Sequence, residues 1–308
     1  MPTFHPDLAV GRFLPPVTHG PRLLKLLSRI PVRGVEIPDD ILVEDVSVPG
    51  TDGAPDVFLR VYRPRSLRTA APALFWIHGG GFILGHPFQD EVANIDFART
   101  LGITVAAVRY RLGPEHPSPA AVEDAYAALT WLFAHADQRL IDPTRIEVGG
   151  ASAGGGLAAG LVLYAHDRGE VEPAFQLLVY PMLDDRTVLR TDMDTRNVRM
   201  WTPGSNRFGW TSYLGAEPGS ADVSPYAAPA RRASLAGLPP AWIGVGTLDL
   251  FHDEDLVYAE RLAASGVPCE LLVVDGAFHG FDAAFRKAEV SKDFHRAQAA
   301  ALRGALFE

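Results

Sequence analysis

Cysteine is almost missing from this chain: Cys269 stands alone in 308 residues. A single thiol cannot close an intrachain disulfide, and it cannot build a cysteine-rich zinc site. Basic runs are missing too. Twenty-eight Lys and Arg face 37 Asp and Glu, a formal net charge of −9. That balance sets aside nucleic acid and anionic membrane surfaces as expected partners. No stretch approaches the roughly 18 uninterrupted apolar residues of a membrane span. The opening residues, MPTFHPDLAVGRFLPP, lack the basic start and continuous apolar core of a secretion signal. The resulting expectation is a soluble, cytoplasmic protein. The metalloprotease spacing H-E-x-x-H, the Lys-Ser/Thr ending of a P-loop and the spacing G-x-G-x-x-G are all lacking. Neither a metal nor a nucleotide cofactor is expected.

What is present is apolar residues in short runs. Hydrophobic residues make up 47% of the chain, enough for a sizeable core. Asp40 to Val48 and Asp56 to Tyr62 alternate around Thr51-Asp52-Gly53, which reads as an antiparallel hairpin. Continuous apolar strands are predicted at Ala73–Ile77, Thr104–Val108, Ile146–Val148, Phe175–Tyr180, Ala241–Val245 and Glu270–Val274. Helices are predicted at Arg22–Ile30, Asp90–Leu101, Ala121–Ala134, after Ser152, at Glu254–Ala264 and at Ser291–Leu306. Such alternation predicts an α/β fold with a mostly parallel sheet covered on both faces. It lapses between Asp184 and about Leu238, where Trp201, Phe208, Trp210 and Tyr213 sit among turn formers. A long insertion between core strands is more often functional than idle. One domain, 1–308, is expected, with a cap made by about 1–38 and about 185–238.

The stretch Gly150-Ala151-Ser152-Ala153-Gly154 fits G-x-S-x-G between a strand and the apolar helix that starts near Leu157. A serine on such a turn is forced into a strained conformation that exposes its hydroxyl, and small flanking residues let strand and helix approach. An incidental serine in a glycine-rich turn is the competing reading. It loses ground because strand and helix flank the motif.

A serine hydroxyl needs a base in contact and a group that orients the base. Asp249 follows the strand Ala241–Val245, and His279 follows the last strand in D-G-A-F-H-G-F. Loops at the carboxyl ends of parallel strands converge, so the order Ser152, Asp249, His279 suits one site. Asp253 and Asp255 rival Asp249, but His252-Asp253-Glu254-Asp255 reads better as the acidic first turn of a helix than as a metal cluster. An oxyanion needs at least two N–H donors. Ala153 follows the serine, and Gly79-Gly80-Gly81 follows a strand where only glycine lets backbone amides approach a substrate closely.

His78-Gly79-Gly80-Gly81-Phe82, Tyr110-Arg111-Leu112-Gly113-Pro114-Glu115-His116-Pro117, Gly150 to Gly155, Asp249 and His279-Gly280-Phe281 together resemble the hormone-sensitive-lipase-like branch of α/β-hydrolases, the bacterial family IV carboxylesterases. The resemblance implies an eight-stranded sheet with one antiparallel strand near its start, a cap, and oxyanion donation by Gly80, Gly81 and Ala153. It implies short- or medium-chain acyl esters as substrates and no cofactor, and for some members pairing as a homodimer through the last strand. Two departures stand out. Many relatives carry Asp or Glu where this chain has Ala151, and another common form has Ala at the position of Gly113. Neither removes a member of the triad.

The expected function is therefore a serine carboxylesterase acting on a small-molecule ester through an acyl-enzyme. Phe82, Tyr180, Trp201, Phe208 and Trp210 are candidate pocket walls, each competing with plain core packing. Amide, lactone or carbamate hydrolysis by the same triad is an alternative. A non-catalytic small-molecule receptor on this fold ranks lower, because such receptors lose the histidine that is present here as His279.

Overall fold

Seven consecutive residues, Ala71–Ile77, are buried at every position, which suits a strand covered on both faces. In the computed structural model, which describes residues 3–307, they form the third strand of an eight-stranded sheet. The strands are β1 (Ile41–Val48), β2 (Val57–Pro64), β3 (Ala71–Ile77), β4 (Thr104–Arg109), β5 (Ile141–Ala151), β6 (Gln176–Val179), β7 (Ala241–Gly246) and β8 (Cys269–Val274). Their order across the sheet is β1-β2-β4-β3-β5-β6-β7-β8. Only β2 runs against its neighbours, pairing antiparallel with β1 and with β4. All other pairs are parallel. The expected fold and its single reversed strand are both present.

The helices are α1 (Pro21–Leu27), α2 (Glu91–Leu101), α3 (Ala120–Ala134), α4 (Ala153–Arg168), α5 (Pro203–Leu214), α6 (His252–Ala264), α7 (Phe281–Ala284) and α8 (Glu289–Phe307). The pleat of β3 divides the core in two. Phe75 and Ile77 pack with residues of α3 and α4, whereas Leu74 and Trp76 pack with residues of α2 and α8. Burying each such large side chain contributes about 1.5–3 kcal/mol.

Two elements differ from the sequence reading. The strand before the serine starts at Ile141, but its register with β3 shifts between Ala71 and Ala73, and the regular ladder begins at Ile146. Asp142 turns the intervening chain by accepting from Thr144 N–H at 3.0 Å. The insertion contains a full helix, α5, that its sequence hides behind Gly204, Ser205, Asn206 and Gly209. Its start is nevertheless encoded. Thr202 caps it by accepting from Ser205 N–H at 3.2 Å, and Pro203 occupies the first turn.

One core position runs against its surroundings. Glu147 lies in β5 at 0% exposure, and neither carboxylate oxygen has a partner. Burial pushes its carboxyl up to about 9, so it is held protonated at neutral pH. In the unfolded chain the same group ionises near the ordinary glutamate range. The folded state thus binds the extra proton, and stability falls as pH rises from the unfolded value towards about 9. Glu147→Gln is expected to raise the melting temperature at pH 8, and the gain should shrink to nothing near pH 4. Thermal unfolding of both proteins across that range checks this; a constant difference at every pH would contradict it.

Candidate active site

The site is built at the carboxyl ends of β3, β5, β7 and β8. β5 ends at Ala151 and α4 begins at Ala153, so Ser152 alone makes the turn, at φ 59° and ψ −123°. A positive φ in a residue with a Cβ is strained. Tight neighbours hold it. A Cβ on Gly150 would lie 2.4 Å from the Gly154 carbonyl, and one on Gly154 would lie 2.1 Å from the Ile77 carbonyl. Ser152 N–H donates to Val179 O at 2.9 Å, and Ser152 O accepts from Met182 at 3.0 Å and Gly156 at 3.0 Å.

His279 Nε2 lies 2.8 Å from Ser152 Oγ, and His279 Nδ1 lies 2.8 Å from Asp249 Oδ2. A carboxylate only accepts, so Nδ1 carries the proton and Nε2 is left to accept from the serine hydroxyl. Asp249 Oδ1 accepts from Phe251 N–H at 3.0 Å, which fixes the carboxylate. The three residues are 8%, 7% and 5% exposed for Ser152, His279 and Asp249, reachable yet largely dry. The imidazole makes T-shaped contacts with two rings, Phe251 at 5.1 Å and Tyr180 at 4.9 Å between centroids. Tyr180 OH donates to Asp282 Oδ1 at 2.8 Å, tying the end of β6 to the histidine loop. The rivals of Asp249 point elsewhere. Asp253 pairs with Arg190 and His252, and Asp255 is fully buried without a partner.

The glycine loop after β3 takes left-handed angles at Gly80 (φ 121°), Gly81 (φ 61°) and Phe82 (φ 61°). It is braced from below. His78 stacks on Tyr110 at 4.4 Å and its Nδ1 donates to Gly79 O at 2.9 Å. Burial lowers the His78 pKa to about 4, so the ring is neutral. Tyr110 OH donates to His78 O at 3.0 Å, and Gly113 N–H donates to Phe82 O at 2.9 Å. The proline-rich loop thus anchors the glycine loop.

The candidate pocket residues divide. Trp201 lies directly on the loop: a Cβ on Gly81 would sit 2.0 Å from its ring. Tyr180 meets His279. Phe82 and Trp210 are packed in the core. Both are under 2% exposed, and Phe82 stacks on Tyr213 at 3.8 Å because its left-handed backbone turns the ring inward. Phe208 is half-buried against the same core. A cavity of about 240 Å³ beneath the insertion is lined instead by residues including Thr187, Val188, Met193, Asn206 and Leu250. Leu250 directly follows Asp249; a second cavity of about 390 Å³ is lined by residues including Phe58, Tyr110 and Leu112. The position next to Asp249 was the one available signal for Leu250. Nothing in the sequence pattern marked Asn206 or Met193. Among the described residues, no three His, Cys, Asp or Glu side chains converge as metal ligands.

A family model described as alpha/beta hydrolase fold matches residues 74–283, and the chain belongs to that family. Its relatives narrow the branch. The chain is 35% identical over 273 residues to carboxylesterase NlhH of Mycobacterium tuberculosis, covering 83% of this chain and 81% of that protein. It is 30% identical over 248 residues to ethyl acetate hydrolase of Pseudomonas putida, covering 78% and 75%. Among solved structures, a bacterial heroin esterase superposes with a TM-score of 0.88 at 38% identity, covering 99% of each chain.

Gly154→Ala tests how the turn is held. The new methyl would press on two backbone carbonyls, Ile77 at 2.1 Å and His78 at 2.5 Å, which cannot swing aside as a side chain would. Overpacking of this kind costs about 1–3 kcal/mol. A fall of that size in stability measured by urea unfolding is expected, and an unchanged midpoint would show that the contact is not tight.

Proposed function

We propose that this chain cleaves short- and medium-chain carboxylic esters through an acyl-enzyme on Ser152. That it is a carboxylic ester hydrolase is carried by its family and by relatives named as carboxylesterases and esterases. The observation that supports the mechanism is the continuous hydrogen-bonded line from Ser152 through His279 to Asp249.

Ser152 Oγ attacks the ester carbonyl while His279 Nε2 takes its proton. Asp249 stabilises the imidazolium and holds its tautomer. The carbonyl oxygen, now negative, is received by the N–H groups of Gly80, Gly81 and Ala153, the last also at the positive end of α4. His279 returns the proton to the departing alcohol and then activates a water that frees the acid. Short acyl groups accord with the similarity to a protein named ethyl acetate hydrolase.

In this reading the N-terminal arm and the insertion act as one cap. Thr18 and Thr202 hydroxyls lie 3.0 Å apart, His19 N–H donates to Ser205 Oγ at 2.8 Å, and Arg199 donates to Arg12 O at 3.1 Å. Residues 1 and 2 of the expected arm lie outside the described residues.

Release of 4-nitrophenol from esters of increasing acyl length, with wild type and Ser152→Ala compared, tests the reading. Short esters should turn over fastest, and kcat should fall at least about 10³-fold in the variant with its circular dichroism unchanged. Turnover that survives the substitution, or activity that peaks on long-chain emulsions, would sink it.

A further inference from the structure

The whole-chain charge of −9 conceals a strong local segregation. Between residues 8 and 35 there is no Asp or Glu, while Arg12, Arg22, Lys25, Arg29 and Arg33 supply five positive charges. All five side chains are exposed. Among the described residues none of them forms an ion pair or a side-chain hydrogen bond; Arg12 lies over the Phe13 ring at 4.7 Å.

The same segment concentrates exposed apolar surface. Seven of the 14 exposed large hydrophobic residues fall between Val10 and Val35, including Phe13 at 73%, Leu26 at 59% and Ile30 at 59%. Helix α1 buries none of its residues. Leu23, Leu26, Leu27 and Ile30 recur at three- and four-residue steps, with Arg22, Lys25 and Arg29 beside them. Single exposed hydrophobics are ordinary, but a concentration of them marks an interaction surface.

The segment is nevertheless held in place. Leu8 is fully buried, His19 bonds to Ser205, and Val35 N–H donates to Glu91 Oε2 at 2.6 Å. The acids around it are engaged: Glu91 also accepts from Arg60, Asp7 from Val290 N–H, and Asp40 pairs with Arg99, leaving Glu36 and Asp39 at its edge.

We propose that residues 8–35 form a docking surface for an anionic lipid bilayer. Cations beside exposed aliphatic side chains fit a headgroup layer, which offers negative charge above an apolar interior. Nucleic acid would use the charges but leave the aliphatic surface in water. A second copy in a two-fold pairing would bring five like charges against these five.

Flotation of the full-length protein with phosphatidylcholine vesicles, with and without phosphatidylglycerol, tests this. Binding should require the anionic lipid and weaken as salt rises from about 0.1 to about 0.5 M. Two variants address the two parts of the surface: Arg22→Glu/Lys25→Glu/Arg29→Glu, and Leu26→Ser/Ile30→Ser. Each should bind at least about tenfold more weakly while keeping its circular dichroism and melting temperature. Absence of vesicle binding by the wild type, equal binding to neutral vesicles, or wild-type binding by the folded variants would each overturn the proposal. So would concentration-dependent dimerisation, read by analytical ultracentrifugation, that the same substitutions abolish without any vesicle binding. Salt dependence of the wild type decides the matter if a variant fails to fold. Lipid binding and Ser152-dependent ester turnover are read separately, so either can fail alone.

Discussion

The backbone of Ser152 is held where a side-chain-bearing residue resists going, at φ 59° and ψ −123°, and the site depends on keeping it there. Strain of this kind, of order 1–3 kcal/mol, persists only where the surroundings over-determine the conformation. Here β5 enters from a fully buried sheet centre, α4 leaves along a glycine-rich turn, and carbonyls of β3 crowd Gly150 and Gly154 from beneath. The sheet is therefore a clamp as well as a scaffold. Its burial energy outweighs the local cost and keeps the hydroxyl in line with His279.

A second set of constraints steadies the glycine loop after β3. Three consecutive left-handed residues, Gly80 to Phe82, would be soft by themselves. They are pinned by a neutral, buried His78 stacked on Tyr110, by Gly113 bonding to Phe82, and by Phe82 sinking its ring against Tyr213 of α5. The insertion also reaches the loop through Trp201, whose ring lies against Gly81. On the proposed mechanism, donors that meet a developing charge are useful only if they need no rearrangement when it forms, and this bracing would supply that condition.

How much of this was legible in the sequence follows from the range of the interactions involved. The strands, the parallel sheet and the first hairpin came from periodicity and turn residues, which are local signals. The eight-strand count and the single reversed strand came from the family resemblance, and the order across the sheet was not legible. Ser152, Asp249 and His279 could be placed because each sits at a strand end, where topology decides who meets whom. For Phe82, named as a candidate pocket wall with core packing as its competitor, the packing against Tyr213 could not be read beforehand, because it accompanies a positive φ that sequence does not display. Helix α5 was missed because its propensity is poor; it is held by its Thr202 cap and by packing of Trp210 and Tyr213. Asn206 and Met193 face a cavity only because the insertion folds back over α6, a long-range event without a sequence periodicity. The charge of the arm was hidden for a different reason: the total of −9 averages away a separation that residue-by-residue reading keeps.

The way Asp249 and Ser152 together orient the His279 imidazole has a further consequence for chemistry. Asp249 engages Nδ1 and leaves Nε2 facing Ser152, so on the proposed mechanism one nitrogen serves every proton transfer. On the proposed mechanism, the water that frees the acid has to occupy the place the alcohol has just left. The two cannot be present together, and whichever hydroxyl compound fills that place next becomes the acceptor. An alcohol abundant in the medium would then compete with water for the acyl group. The partition between acid and new ester would be governed by occupancy of one small space, with no second binding site required.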